Sequence, residues 1–146
     1  AELAAYAMSE GTTIAGLRDQ VWGEFGVYLE MGKSLVMEGG EGARKIAALV
    51  ESYSTNPPAE VDGSAAAGVR DYAKGGFYDE EGDEIPEAAM LFVDLEDGRR
   101  LAVRPSGTEP KIKYYLFGKG DSREAVSASL ENLWTWLEKD AYVRMG

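Results

Sequence analysis

The stretch MLFVDLEDGRRLAVRPSGTEPKIKYYLFGK, residues 90–119, carries the strongest fold signal in the chain. Apolar and polar residues alternate on both sides of Asp97-Gly98, and an Asp-Gly pair between alternating runs is typical of a tight β-hairpin, because the turn needs positive φ. After a loop that contains Pro and Gly, the run KIKYYLFGK indicates a further strand. The sequence therefore predicts a cluster of antiparallel strands with a short, rigid loop inside it.

The segments that flank this unit carry helical patterns. Residues 2–9 predict a short helix, and Thr12 or Thr13 can cap a second helix that ends at Gly26. The remaining elements are predicted as a strand over 27–37, a loop over 37–42, a helix over 43–54, a strand over 66–72, a polar surface loop over 74–87 and a last helix over 122–139. This order predicts an α+β fold, with a mostly antiparallel sheet of about four to five strands and two helices packed on one face.

The composition excludes several classes of protein function. The chain has 146 residues and a net charge of −11, which argues against a protein whose whole surface meets nucleic acid or an anionic membrane. Cys and His are absent, so thiolate chemistry and the commonest general base and metal ligand are missing. No apolar run approaches the ~20 residues of a membrane span. The first residues carry no basic region, so we expect no signal peptide and a cytoplasmic protein.

The segment 99–113 opposes the charge of the rest of the chain. It holds five basic residues and one acidic residue, Glu109. A local positive field in an acidic protein indicates an anion partner. Arg104 offers a planar fork that suits a phosphate or a carboxylate, and Lys111 adds a point charge.

Uncharged residues of the same loop complete the pattern of an anion site. Ser106 and Thr108 supply hydroxyl donors, and Gly107 lets successive N–H groups turn into one concavity. Pro105 and Pro110 stiffen both ends, which lowers the entropy lost on binding. The alternative is a plain turn between two strands with solvated basic residues, since short motifs carry false positives.

Two other stretches invite a functional interpretation that their spacing does not support. The acidic run 79–84 lacks the alternating ligands of a calcium loop, so a solvated surface loop is favoured. The run 39–42, Gly-Gly-Glu-Gly, precedes a helix but lacks the Lys-Ser/Thr pair of a P-loop, so we interpret it as a flexible connector. We predict no metal site in this chain.

The aromatic residues predict packing rather than chemistry. Tyr114 and Tyr115 point to opposite faces of one strand, so we expect one of them in the core, with stacking on a sugar or base as the alternative. We expect Trp22 and Phe25 to pack against protein that precedes this chain, and Trp136, which lies off the apolar stripe of the last helix, to contact a neighbouring domain.

The motif RPSGTEPKIK resembles the phosphate-binding loop in the C-terminal domain of the α-D-phosphohexomutase family, which comprises phosphoglucomutases, phosphomannomutases and phosphoglucosamine mutases. The run AELAAYAMSEGTTIAGLRDQVWGEFGVYLE is similar to the end of the family's third domain and its passage into the fourth. NPPAEVDG and VRDYAKGG resemble connecting segments of domain four. The motif PSGTEPKIKYY is most similar to the phosphoglucomutase and phosphopentomutase branch of the family.

The resemblance implies a fold, a domain division and a set of site residues. The fold would be that of domain four, which is similar to the TATA-box-binding protein. Residues 1–26 would be a helical remnant of domain three with its linker, and residues 27–146 the phosphate-binding domain. The resemblance assigns phosphate contacts to Arg104, Ser106, Gly107, Thr108 and Lys111. We expect supporting roles for Pro105, which stiffens the loop, and Glu109, which orients Arg104 or Lys111.

The resemblance also implies an activity for the parent protein. Family members interconvert sugar 1-phosphates and 6-phosphates, or pentose 1- and 5-phosphates, through a phosphoserine and Mg²⁺. The motifs for the phosphoserine, the metal and sugar specificity do not occur here, so we expect no catalytic residue and no turnover in this chain alone. The expected partners are a phosphosugar and domains one to three of the parent, with no nucleic acid and no membrane.

Two alternatives from other classes stay open at this point. A stand-alone anion-binding module is one, although the absence of an initiator Met leads us to expect part of a longer protein. An RNA-binding α+β sheet is the other, because small antiparallel sheets often bind RNA. The net charge and the lack of a basic stripe beyond the loop argue against RNA binding.

Overall fold

A computed structural model describes residues 1–146 and shows an α+β fold. Four α-helices are present, α1 (Glu2–Ser9), α2 (Ile14–Phe25), α3 (Gly39–Thr55) and α4 (Arg123–Met145). Six strands are present, β1 (Val27–Val36), β2 (Glu60–Val61), β3 (Ser64–Asp71), β4 (Leu91–Leu95), β5 (Arg100–Pro105) and β6 (Lys111–Gly120). A single 3₁₀ turn, Tyr72–Lys74, follows β3. None of the helices has the length and apolar character needed to cross a membrane.

The strands form one antiparallel sheet in the order β1-β6-β5-β4-β3-β2. The predicted hairpin at Asp97-Gly98 joins β4 to β5, and Gly98 has a φ of 86°, as that turn requires. The sheet has six strands, more than the four to five predicted. Strand β2 was not predicted, because two residues are too few to show alternation, although the Asp62-Gly63 turn after it has positive φ at both positions.

Helices α3 and α4 pack on one face of the sheet, as predicted, and enclose a core of 19 buried residues. The largest side chains in it include Tyr53 from α3, Tyr114 from β6 and Leu133 from α4, all at most 2% exposed. Alternate residues of β1 and β6 point into this core, while the residues between them point to the opposite face. On β5, Leu101 and Val103 belong to the buried set, and Ala102 between them is buried as well. We call that opposite face the open face, because neither long helix covers it.

The prediction of a loop over 37–42 was wrong. Helix α3 begins at Gly39, and Gly42 is buried in its first turns. A Cβ at Gly42 would lie 2.5 Å from the carbonyl oxygen of Met37, so close packing accounts for that glycine. Residue types alone predict a flexible connector here, because a requirement for close approach is invisible without the neighbouring chain.

The N-terminal helices lie beside the sheet and keep much apolar surface exposed. Thr13 caps α2 by accepting a hydrogen bond of 3.0 Å from the Gly16 N–H. Phe25 is 57% exposed, whereas Trp22 packs partly against the core of this chain. Trp136 also packs partly against this core and is half-buried, and its contact with a neighbouring domain stays a prediction.

Candidate functional site

The loop of residues 106–110 connects β5 to β6 and is fixed at its base. The Ser106 N–H donates to the Lys111 carbonyl oxygen at 2.8 Å, and the Lys111 N–H donates to the Glu109 carbonyl oxygen at 2.7 Å. The Pro110 carbonyl oxygen accepts from the Met37 N–H at 3.0 Å, just ahead of α3. The loop is therefore tied to the β1–α3 junction as well as to its own strands.

Several hydrogen-bond donors of this loop are free. The N–H groups of Gly107, Thr108 and Glu109 donate to no backbone oxygen. The hydroxyls of Ser106 and Thr108 form no hydrogen bond within the chain, whereas many other Ser and Thr side chains do. Gly107, Thr108 and Glu109 are exposed, and Ser106 is half-buried. The geometry thus leaves donors on an accessible loop, as an anion site needs.

Three basic side chains lie near the loop, and they differ in whether a carboxylate neutralises them. Lys111 Nζ lies 2.9 Å from the Glu109 carboxylate. The hydrogen bond and charge of Lys111, together with the charge of Lys113, hold the pKa of Glu109 below its usual value. Arg104 and Lys113 form no ion pair within the chain, although ten other pairs form. They lie opposite each other in the β5–β6 register.

Lys113 is not among the site residues predicted from the sequence. The signal was present, because a hairpin with a loop over 106–110 places residue 113 across from residue 104. The second charge predicted from the sequence is that of Lys111, which lies nearer to Arg104 along the chain. The structure places Lys111 at the loop's base with its charge already compensated by Glu109.

The two arginines of the hairpin turn belong to other interactions. Arg99 pairs with Asp62 at 2.6 Å and Asp97 at 2.7 Å, and its side chain is only 12% exposed. Arg100 pairs with Asp94. The basic residues of segment 99–113 therefore have two roles in the structure. Arg99 and Arg100 form ion pairs with nearby carboxylates, whereas Arg104 and Lys113 remain unpaired beside the loop.

A cleft of about 710 Å³ lies beside the loop on the face that bears the helices. Its walls are the loop itself, one stripe of α3 that includes Ala43, Ala47 and Val50, and the start of β4. The lining is largely apolar. The loop therefore separates an apolar cleft from the unpaired cations of the open face.

No three or more Asp or Glu side chains lie close enough together to hold a metal ion. Asp79, in the acidic run, accepts hydrogen bonds from the N–H groups of Glu81 and Asp83 at 3.0 and 2.9 Å, so it organises its own loop. The residues of this chain do not fit a Mg²⁺ site.

Comparison with known proteins identifies the family. A model of the phosphoglucomutase/phosphomannomutase C-terminal domain matches residues 41–128, which include the whole loop and both strands that carry it. The chain belongs to the phosphoglucomutase/phosphomannomutase family. The predicted family membership is thus confirmed.

Similar proteins of this family are much longer than this chain. It is 33% identical over 129 residues to a phosphoglucomutase from Staphylococcus haemolyticus, a match that covers 85% of this chain and 23% of that protein. It is 34% identical over 137 residues to a probable phosphomannomutase from Haemophilus influenzae, covering 91% of this chain and 26% of that protein. The chain thus spans about a quarter of the length of these two relatives.

A solved structure of a phosphoglucomutase-family protein shares the fold. The open form of parafusin, a phosphoglucomutase from Paramecium, superposes with a TM-score of 0.50 at 17% identity. The match covers 82% of this chain and 21% of that protein. The α+β prediction for a C-terminal domain of this family is therefore confirmed.

Proposed function

We propose that this chain binds the phosphate group of a phosphosugar and positions it for an enzyme of the phosphoglucomutase/phosphomannomutase type. One observation carries the proposal: Arg104 and Lys113 stand unpaired and opposite each other beside a loop with free donors. A phosphate dianion between them would neutralise both charges. It would also accept hydrogen bonds from the loop's hydroxyl and N–H groups.

The proposed division of labour follows from the chemistry of each group. Arg104 contacts two phosphate oxygens through its planar guanidinium, and Lys113 supplies a point charge from the neighbouring strand. Ser106 and Thr108 donate their hydroxyls, and the Gly107 backbone N–H donates beside them. Lys111 exchanges its carboxylate partner for the phosphate when the ligand arrives. Each charge-assisted contact contributes about 1.5–3 kcal/mol before desolvation and ordering costs.

The parent protein would be an intramolecular phosphotransferase of the cytoplasm. It would interconvert hexose 1- and 6-phosphates, or pentose 1- and 5-phosphates, through a phosphoserine and Mg²⁺ held by domains outside this chain. Residues 27–146 would be its fourth domain, and residues 1–26 the end of its third. In this reaction the chain contributes positioning and charge neutralisation, and it has no turnover by itself.

The proposal is tested by NMR titration of the isotope-labelled chain with inorganic phosphate, glucose 1-phosphate, glucose 6-phosphate, ribose 5-phosphate and plain glucose. We expect the amides of Ser106, Gly107 and Thr108 to shift with every phosphate compound and not with glucose, with a Kd of about 1 mM. Arg104→Ala should weaken binding about 10- to 100-fold.

The matched control is Arg100→Ala, which removes the same charge from the same strand at a residue that Asp94 already pairs. Arg100→Ala should change the affinity much less than Arg104→Ala. Equal losses in the two variants would mean that only the general field of the chain matters. An absence of shifts at phosphate concentrations on the order of tens of millimolar would overturn the proposal.

A further inference from the structure

The open face of the sheet carries its residues in rows that run across the strands. Nearest the loop, Ser34, Lys113 and Arg104 align on β1, β6 and β5, and we call this the cation row. The next row on the same face consists of Gly32, Tyr115 and Ala102. Gly32 is exposed and has no side chain, whereas Ala102 is buried, so the open space beside Tyr115 lies on the β1 side.

The two adjacent tyrosines of β6 differ in what they contact. Tyr114 is buried, packs edge-on against Tyr53 and Trp134 at ring distances of 6.3 and 5.4 Å, and shares a hydrogen bond of 3.2 Å with the Tyr53 hydroxyl. Tyr115 is half-buried and takes part in none of the chain's aromatic pairs or cation–π contacts. The core thus accounts for Tyr114, while Tyr115 lies partly buried on the open face.

Tyr115 stands one step from the cation row. It is two residues from Lys113 on the same face, a spacing of about 7 Å along a strand, and it lies diagonal to Arg104 across the β5–β6 pair. On its other side, the next row contains Arg100, which Asp94 neutralises. The cation row therefore attracts an anion on the open face. If that anion is a phosphate ester, the group attached to the phosphate can reach Tyr115.

We propose that Tyr115 forms a platform for the sugar ring of a phosphosugar whose phosphate lies at the cation row. The C–H surface of a sugar ring packs on an aromatic face, and exposed Gly32, which has no side chain, leaves room for the ring beside Tyr115. Packing of this kind favours ligands that contain a sugar ring but does not discriminate between sugars that differ in the orientation of a hydroxyl. The inference rests on the proposed function, because the phosphate site anchors the ligand.

The test compares inorganic phosphate with glucose 6-phosphate on four proteins: the original chain, Tyr115→Ala, Tyr115→Phe and Tyr28→Ala. Tyr28 is the matched control, because it is an exposed tyrosine on the same face, covered by Lys119 at 4.9 Å. We expect the original chain to bind glucose 6-phosphate about three- to tenfold more tightly than phosphate. Tyr115→Ala should lose this preference and keep its phosphate affinity, while the other two variants keep both.

A second readout needs no variant. Sugar ring protons above an aromatic face move upfield, so the C–H signals of glucose 6-phosphate should shift upfield on binding to the original chain. If phosphate binds but the preference survives Tyr115→Ala, or the upfield shift is absent, the platform is wrong while the phosphate site stands. If neither compound binds, the proposed function and the platform fail together. Phosphate binding by Tyr115→Ala also shows that this variant is folded.

Discussion

Arg104 on β5 and Lys113 on β6 lie directly opposite each other on the open face, and no carboxylate pairs with either of them. Like charges directly opposite in a sheet are destabilising. The chain has 26 acidic residues that could have supplied a partner at this place. The proposed phosphate site would account for this unpaired cation pair, because a bound phosphate would neutralise both charges.

Lys113→Met should separate stability from binding. We expect the free energy of unfolding to rise by about 0.2–1 kcal/mol, because the like-charge contact is removed. We also expect the increase in Tm caused by added phosphate to shrink, because one of its contacts is lost. Thermal denaturation with and without phosphate measures both effects. Lys119→Met, on the same strand and face, should leave the phosphate effect unchanged, and a destabilised Lys113→Met would contradict the explanation.

The ion pair between Glu109 and Lys111 should be visible in a carboxyl NMR titration. Because Lys111 and Lys113 lower the pKa of Glu109, the pair is intact above the usual Glu pKa and is lost as the pH falls through the lowered value. Lys111→Met should move the Glu109 midpoint upward. Lys45→Met, which removes the partner of Glu41 on α3, should leave the Glu109 midpoint in place.

Removing the carboxylate of Glu109 should strengthen phosphate binding. In the unliganded chain Glu109 competes for Lys111, so Glu109→Gln frees that ammonium for the ligand and removes a negative charge from the loop. The same NMR titration with inorganic phosphate measures the change in Kd. Glu81→Gln, an equal charge change in the exposed acidic loop, is the comparison, and weaker binding by Glu109→Gln would show that the carboxylate supports the ligand.

Gly42→Ala should destabilise the chain and disturb the loop. The new Cβ would meet the Met37 carbonyl group at 2.5 Å, and the Met37 N–H donates to Pro110 in the loop. We expect a loss of about 1–3 kcal/mol in the free energy of unfolding, together with shifted amides over residues 106–110. Gly40→Ala, where a Cβ has open space in the same helix, should instead stabilise by about 0.5–1 kcal/mol. Denaturant unfolding distinguishes the two outcomes.

The buried tyrosines should make the fold sensitive to alkali. Burial raises the pKa of Tyr114 to about 12, and it raises the pKa of Tyr53 further, with the Tyr114 and Asp140 charges adding to it. A raised pKa contributes stability that is complete below the ordinary value of 10.0 and is lost as the pH rises above it. Unfolding monitored against pH should show this loss. Tyr53→Phe should reduce the pH dependence, while Tyr142→Phe, at an exposed site, should not.

The sequence determined the features that neighbouring residues encode. The Asp97-Gly98 turn, the Thr13 helix cap and the loop bounded by two prolines each depend on a few adjacent residues, and the structure has each of them. The family resemblance also depends on a local motif, RPSGTEPKIK. Strand β2 has only two residues, which is too few for an alternation of apolar and polar residues to be recognised.

Only the tertiary structure decided which charges and rings are available. Arg99 finds Asp62, 37 positions away, and Tyr53 finds Tyr114, 61 positions away, so their roles cannot be read from their own surroundings. The close approach of the Met37 carbonyl group to Gly42 also cannot be recognised from the residue types alone. Ion pairing and burial depend on residues that the fold brings together from distant parts of the chain, whereas turns and caps depend on torsion angles that a few adjacent residues set.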